Sequence, residues 1–199
     1  LPGFDSTRLV QVQKQRPFAD WVVNCAAFTR VDDAESRREA AYAVNSDGAG
    51  NVARICSTRS VGLVHISTAY VFDGRKGSAY AEDDKPNPLN VYGASKLAGE
   101  ELVREAGGRT LVVRTQSLFG ARGSNFVRAI VQRLRSSDEP LRVVSDQFTS
   151  PTYTRHLAAA IVRLLALGRP GTVNVVASGQ CSWFEFAQAI AERVKPGAQ

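Results

Sequence analysis

Short apolar runs alternate with longer helical patterns along this chain, and that alternation is what most restricts its fold. Trp21-Val22-Val23-Asn24 reads as a buried strand that ends in the small residues Cys25-Ala26-Ala27. From Glu35 to Arg59, Ala40, Ala43, Val44, Val52, Ala53 and Cys56 form one apolar stripe at helical spacing, interrupted by Gly48-Ala49-Gly50. Val61–Ile66 is the next strand, and Gly74–Asn90, rich in Gly, Pro, Asp and Asn, is a surface loop. A helix follows over Val91–Ala106 and is stopped by Gly107-Gly108. The pattern continues with a strand at Thr110–Arg114, an amphipathic helix at Ser124–Ser136 and a short strand at Leu141–Val144. A helix at Thr152–Leu167 and a strand at Thr172–Val176 come next, and Ser182-Trp183-Phe184-Glu185 is a capping box opening the last helix. Ser6 is placed to cap a short helix over Thr7–Arg16. Strands that are apolar on both faces and separated by helices predict an α/β protein, a parallel sheet covered by helices on each side.

Composition narrows the class. The 199 residues, 44% hydrophobic and 22% charged, are enough for one sizeable core, or for one domain and part of a second. No apolar stretch approaches membrane-spanning length, and no charged-then-apolar leader opens the chain. Cys25, Cys56 and Cys181 are few, odd in number and widely spaced, which predicts reduced thiols in a cytoplasmic compartment. The net charge of +6 comes from arginines spread along the whole chain, without a dense basic run interleaved with aromatics. That distribution argues against a nucleic-acid partner and agrees with an anionic small substrate or a cofactor phosphate. The absence of Met, position 1 included, predicts a fragment or a processed chain.

Ligands of open parallel sheets sit at the carboxyl ends of the strands. Three candidate segments fall there. The first is Asn24–Thr29, where Ala26 and Ala27 let a ligand lie close to the backbone and Thr29 supplies a hydroxyl; the competing reading is a tight packing turn. The second is Ser67-Thr68, a hydroxyl pair that either meets a substrate oxygen or serves as a turn residue. The third is Tyr92 with Lys96. Four residues apart on a helix, they share one face, and a phenol beside an ammonium has its pKa pulled down from about 10, the property a proton donor to a carbonyl oxygen needs. Alone, such a pair is also an ordinary surface aromatic beside a solvated lysine; its place after Thr68 is what gives it weight. His65, inside a strand, reads as a satisfied core residue, and His156 has no partner near it in sequence. Cys25 has no His or Asp spaced to activate it. Asp32-Asp33 reads as a helix start and Asp83-Asp84 as a solvated loop, neither with metal-ligand spacing.

The phrases VVNCAAFTRVDDAE (Val22–Glu35), HISTAYVFDG (His65–Gly74), EDDKPNPLNVYGASKLAGE (Glu82–Glu100), RTQSLFGARGSNFV (Arg114–Val127) and VVSDQFTSPTY (Val143–Tyr153) together resemble the extended short-chain dehydrogenase/reductases, and within them the dTDP-4-dehydrorhamnose reductase family. The resemblance implies a Rossmann-like, doubly wound parallel sheet, N-terminally truncated, with part of a small substrate-binding region. It divides the chain into a truncated NAD(P)-binding core over residues 1–116, and remaining Rossmann elements with a partial substrate region over 117–199. It implies hydride transfer from NADPH or NADH to the C4 keto carbon of a dTDP-linked deoxyhexose. On that resemblance Thr68, Tyr92 and Lys96 are the catalytic set. Tyr92 gives the proton, Lys96 lowers the Tyr92 pKa and holds the nicotinamide ribose, and Thr68 hydrogen-bonds the reacting oxygen. Ala27, Phe28 and Thr29 contact the cofactor together with Tyr92 and Lys96, while Thr68, Ala69 and Ser117 face the substrate.

Three departures stand out. Ala69 replaces an Asp usual in the family, Ser117 stands where Trp is frequent, and no Gly-rich phosphate loop follows a strand. The missing piece amounts to about 30 residues or more, one βαβ unit. Two rival readings follow from the same phrases. One is a catalytically silent regulatory subunit of the methionine adenosyltransferase beta type. The other is a sugar-nucleotide epimerase or dehydratase, for which Ala69-Tyr70 lacks the acidic residues of elimination. A nucleotide-sugar ligand is expected, with neither a nucleic acid nor a membrane as partner, and a homodimer is compatible with the chain.

Overall fold

The computed structural model describes residues 19–137 and 139–195; Ser6 and the helix expected over Thr7–Arg16 lie outside them. Two compact units divide the chain. One runs up to Arg114 and includes Gly168–Asn174; the other comprises Thr115–Leu167 and the segment from Val175 onward.

The first unit holds the main sheet. β1 (Trp21–Asn24), β2 (Gly62–Thr68), β3 (Thr110–Thr115) and β7 (Gly171–Asn174) lie in the order β1-β2-β3-β7. β1 pairs parallel with β2 so that Asn24 stands opposite His65, and β3 pairs parallel with β7. Leu63, Val64, Leu111, Val112 and Val113 are fully or almost fully buried, as strands covered on both faces require. At the edge of β1 the indole of Trp21 covers Gly62, where a Cβ would lie 2.4 Å from the ring, and the Arg109 guanidinium sits over the same indole. The Rossmann-like expectation therefore holds for this unit.

The long helix expected over Glu35–Arg59 is four pieces. α1 (Val31–Ser36) starts earlier than its apolar stripe, with Asp32 and Asp33 in its first turn, where acids favour the helix N-terminus. α2 (Arg38–Tyr42) leads into a π-helical turn (Ala43–Gly48), and α3 (Ala49–Thr58) completes the run. The π turn occupies the stretch that ends at the Gly48-Ala49-Gly50 interruption. It brings the Asn45 carbonyl against Gly99 of α4 (Val91–Glu105), where any Cβ would lie 2.0 Å from that oxygen. Asn90 caps α4 by accepting from the Gly93 N–H, and Glu35 accepts the Val91 N–H at 2.8 Å. Gly107 and Gly108 take positive φ just past its end.

The second unit contains α5 (Phe126–Ser136, capped by Asn125), α6 (Thr154–Ala166), α7 (Trp183–Val194) and two small sheets. β4 (Leu118–Phe119) pairs with β6 (Thr152–Tyr153), and β5 (Phe148–Thr149) pairs with β8 (Cys181–Ser182). Phe126, Ile130, Leu134, Ala187 and Ile190 form its core. The expected strand at Leu141–Val144 is absent. The segment has no ladder partner, and its apolar residues Leu141 and Val143 instead pack as side chains on the α5–α7 core. Thr152 and Tyr153 belong to β6 rather than to the helix expected from Thr152. The Ser182/Glu185 capping box is present in full.

Candidate active site

The catalytic candidates come together at the carboxyl end of β2. This strand runs two residues past the predicted Ile66 and delivers Thr68, which caps a single 3₁₀ turn (Ala69–Val71) by accepting the Tyr70 N–H at 3.2 Å. Gly93 of α4 packs directly on the Tyr70 carbonyl, where a Cβ would lie 2.1 Å away, and this close approach brings the first turn of α4 onto the 3₁₀ turn. As a result the Tyr92 phenol comes close enough to the Thr68 hydroxyl to feel a lowering pull on its pKa. The Tyr92 ring meets that of Tyr70 edge-on at 5.6 Å.

Lys96 lies one turn along α4 and is 1% exposed. Its Nζ donates to the Ile66 carbonyl at 2.6 Å and stands 3.5 Å from His65 Nε2. Burial pulls the lysine down to about 8, against the opposing pull of Glu100 and Cys25. The phenol behaves differently from the sequence expectation. Burial pushes Tyr92 above its ordinary value, and the Thr68 hydroxyl only partly offsets this. The group beside the phenol is thus a hydroxyl, while Lys96 binds a strand carbonyl.

Several supporting residues carried no recognisable signal in the sequence. Glu100, fully buried one turn beyond Lys96, accepts from Ser67 Oγ at 2.5 Å and takes a two-pronged bond from Arg114, at 3.0 Å from Nε and 2.8 Å from Nη2. This triad joins β2, α4 and β3. Asn45, also fully buried, accepts from the Phe28 N–H at 2.8 Å and donates to the Phe28 carbonyl and to Ser95 Oγ, whose hydrogen goes to the Tyr92 carbonyl. The segment after β1 is thereby fastened to the helix that carries Tyr92. Only the helical spacing of Glu100 from Lys96 could have singled out the former, and the latter group, Asn45, lies in a π turn that no periodicity marks.

Ala27 and Phe28 are half-buried, whereas Cys25, Ala26 and Thr29 are exposed, so the small residues of the segment lie on either side of a Phe28 backbone held by Asn45. Ala69, half-buried, opens the 3₁₀ turn. Ser117, in the second unit, has φ of 47° and shares a hydrogen bond with Thr149 Oγ1. His65 is a satisfied core residue, held neutral by burial, which pulls it down to about 3. Among the described residues no group of His, Cys, Asp and Glu has the arrangement of a metal site.

The loop between β2 and α4 is ordered by Asp73. Its carboxylate accepts from the Tyr80 hydroxyl at 2.6 Å, the Arg75 N–H and the Asn87 amide, and these bonds hold it down at about 2. Phe72 stacks on Tyr80 with ring centroids 4.2 Å apart.

Comparison with known proteins assigns the family. The family model described as RmlD substrate binding domain matches residues 4–198. The chain belongs to this family. Among its curated relatives, the chain is 46% identical over 173 residues to the spore coat polysaccharide biosynthesis protein SpsK of Bacillus subtilis, covering 87% of this chain and 60% of that protein. It is 45% identical over 192 residues to the dTDP-4-dehydrorhamnose reductase of Burkholderia thailandensis, covering 90% and 63% respectively. The chain thus spans roughly three-fifths of the length of these RmlD-family relatives. Among solved structures, dTDP-4-dehydrorhamnose reductase from Bacillus anthracis in complex with NADP superposes with a TM-score of 0.92 at 42% identity, covering 96% of this chain and 68% of that one.

Proposed function

We propose that this chain is the catalytic portion of an NADPH- or NADH-dependent reductase that converts the 4-keto group of a dTDP-linked deoxyhexose to an alcohol, dTDP-4-dehydro-L-rhamnose to dTDP-L-rhamnose. The observation that carries this reading is the meeting of Thr68, at the end of β2, with the first turn of α4 that carries Tyr92, with Lys96 buried one helical turn further on and bonded to the Ile66 carbonyl of the same strand. The reductase relatives support the same assignment.

The residues present fit a nicotinamide cofactor. Ala27 is half-buried and small, Thr29 is exposed, the Phe28 backbone between them is fixed by Asn45, and Lys96 provides a buried amine. When bound, the cofactor supplies the hydride. Tyr92, Lys96 and the Ala27–Thr29 segment would hold it.

Thr68 Oγ1 accepts the Tyr70 N–H, so its own hydrogen is free to be given to an oxygen. With substrate present that hydrogen serves the keto oxygen. Tyr92 donates its proton to the same oxygen as negative charge builds there. A phenol held above its ordinary pKa is protonated at neutral pH, the state a donor needs. Fixed donors aimed at the developing alkoxide stabilise it without reorganisation. Thr68, Ala69 and Ser117 are the proposed substrate contacts. A cytoplasmic location is supported by the free thiols of Cys25, Cys56 and Cys181.

The test is NADPH oxidation by the full-length protein containing this chain. Oxidation that depends on the dTDP-linked keto sugar is expected. Absence of turnover, together with tight binding to a methionine adenosyltransferase catalytic subunit, would overturn the reading in favour of a regulatory role.

A further inference from the structure

Behind Lys96 lies a hydrogen-bonded chain that the mechanism above does not use. Asn24 and His65 stand opposite each other on β1 and β2, 6% and 0% exposed. The Asn24 Oδ1 takes the Ala26 N–H at 3.1 Å. A backbone N–H only donates, so the amide oxygen must face it, and the amide nitrogen must face His65 Nδ1, 3.2 Å away. The amide nitrogen has only hydrogens to offer; Nδ1 is therefore the accepting nitrogen. In a neutral imidazole the hydrogen then resides on Nε2. That nitrogen is the one 3.5 Å from Lys96 Nζ.

The consequence for Lys96 follows from counting donors. As an ammonium, Nζ has three hydrogens and no lone pair; one hydrogen satisfies Ile66, and the imidazole opposite presents another hydrogen. As an amine, Nζ keeps its bond to Ile66 and accepts from Nε2. The imidazole therefore favours the uncharged form. Opposing it are Glu100 on α4 and Cys25 at the end of β1, both of which favour the charge. Glu100 is itself engaged by Arg114 of β3, Arg104 of α4 and Ser67 of β2. Tyr92, one turn away, is kept protonated by burial.

We propose that Asn24 and His65 are a positioning pair for Lys96: the amide locks the imidazole with its Nε2 hydrogen toward Nζ, so that the lysine is poised between amine and ammonium instead of standing as a permanent cation. The catalytic meaning of this pair rests on the reductase reading, but its physical content does not.

The first measurement is nitrogen-15 spectroscopy of the full chain labelled at histidine, with His156→Gln used to separate the two histidine signals. A bare Nδ1 and a protonated Nε2 at His65 are expected; the opposite tautomer overturns the proposal. The second compares the Nζ titration of Lys96 in wild type and Asn24→Asp. An aspartate only accepts, so it draws the hydrogen to Nδ1 and turns the Nε2 lone pair to Lys96. The midpoint should rise by at least about one unit, a roughly tenfold gain in the ammonium-to-amine ratio at fixed pH. Adding His65→Phe to Asn24→Asp keeps the new charge and removes the imidazole. Most of the rise should disappear; its full persistence would mean charge alone acts and would overturn the pair. If tautomer and titration behave as expected but no keto-sugar reduction occurs, the pair stands and the reductase reading falls.

Discussion

The Tyr92 ring is held by Tyr70 and by the apolar cluster of Ala34, Ala41 and Val91, independently of its hydroxyl, which faces Thr68. Function and folding are therefore separable at this residue. Tyr92→Phe should lower kcat by about 10²–10⁴-fold, the range for loss of a positioned acid, while the melting temperature changes little. Steady-state kinetics beside a thermal melt would check this; retention of kcat would exclude the phenol as proton donor. Glu100 presents the reverse case. It touches no reacting group, but it is fully buried and holds Arg114 with two bonds. Glu100→Ala strands a buried guanidinium and should cost about 3–5 kcal/mol of stability, the range for breaking a buried pair from one side. Denaturant melts measure it, and a loss near zero would mean Arg114 finds another partner.

The elements of the site depend on two helix faces that are bare of side chains. Gly93 and Gly99 let α4 come down on the Tyr70 and Asn45 carbonyls. Gly99→Ala places a methyl group against a backbone oxygen that cannot move aside alone, and destabilisation of about 1–3 kcal/mol is expected, the usual range for overpacking. Loss of hydrogen-exchange protection at the Phe28 amide should accompany it, because the same π turn carries Asn45. Unchanged protection would show that the turn adapts without the Asn45 clamp. This element also marks the limit of what could be read from residues. Strands such as Gly62–Thr68 and Thr110–Thr115 were legible because burial on both faces demands continuous apolar runs, whereas Trp21–Asn24, expected as a buried strand, leaves Val23 exposed. The π turn was not, since its register shift is set by what Gly99 permits on another helix. The two-residue strands β4, β5, β6 and β8 are too short for any alternation to register. Leu141–Val144 misled for the opposite reason: alternate apolar residues fit a strand, but here they serve as plugs for a helical core. Thr68, Tyr92 and Lys96 stood out as candidates through their motif, whereas Glu100, Arg114, Asn45 and Asn24 are ordinary polar residues until tertiary contact places them.

At the scale of the whole molecule, the buried His65–Lys96 contact ties fold stability to pH on both sides of neutrality. His65 falls from an ordinary value of 6.5 to about 3, first through burial and then through the neighbouring Lys96 charge. The unfolded chain therefore binds a proton at this position in the window between those values while the folded chain does not. Stability from this group is complete above 6.5 and is lost as pH falls toward 3. Lys96 falls from 10.5 to about 8, mainly through burial, so the folded chain gives up its proton first. Stability from the lysine then rises as pH climbs from about 8 toward 10.5. Substitution of the imidazole separates the acid component from that of carboxylates such as Asp73, which acts nearer its own value of about 2. In denaturant melts at pH 7 and pH 5, wild type should lose more stability on acidification than His65→Phe, whatever the stability of that variant at pH 7. Equal losses in the two proteins would mean that the imidazole is protonated in the fold, and the neutral-histidine basis of the site would then be wrong.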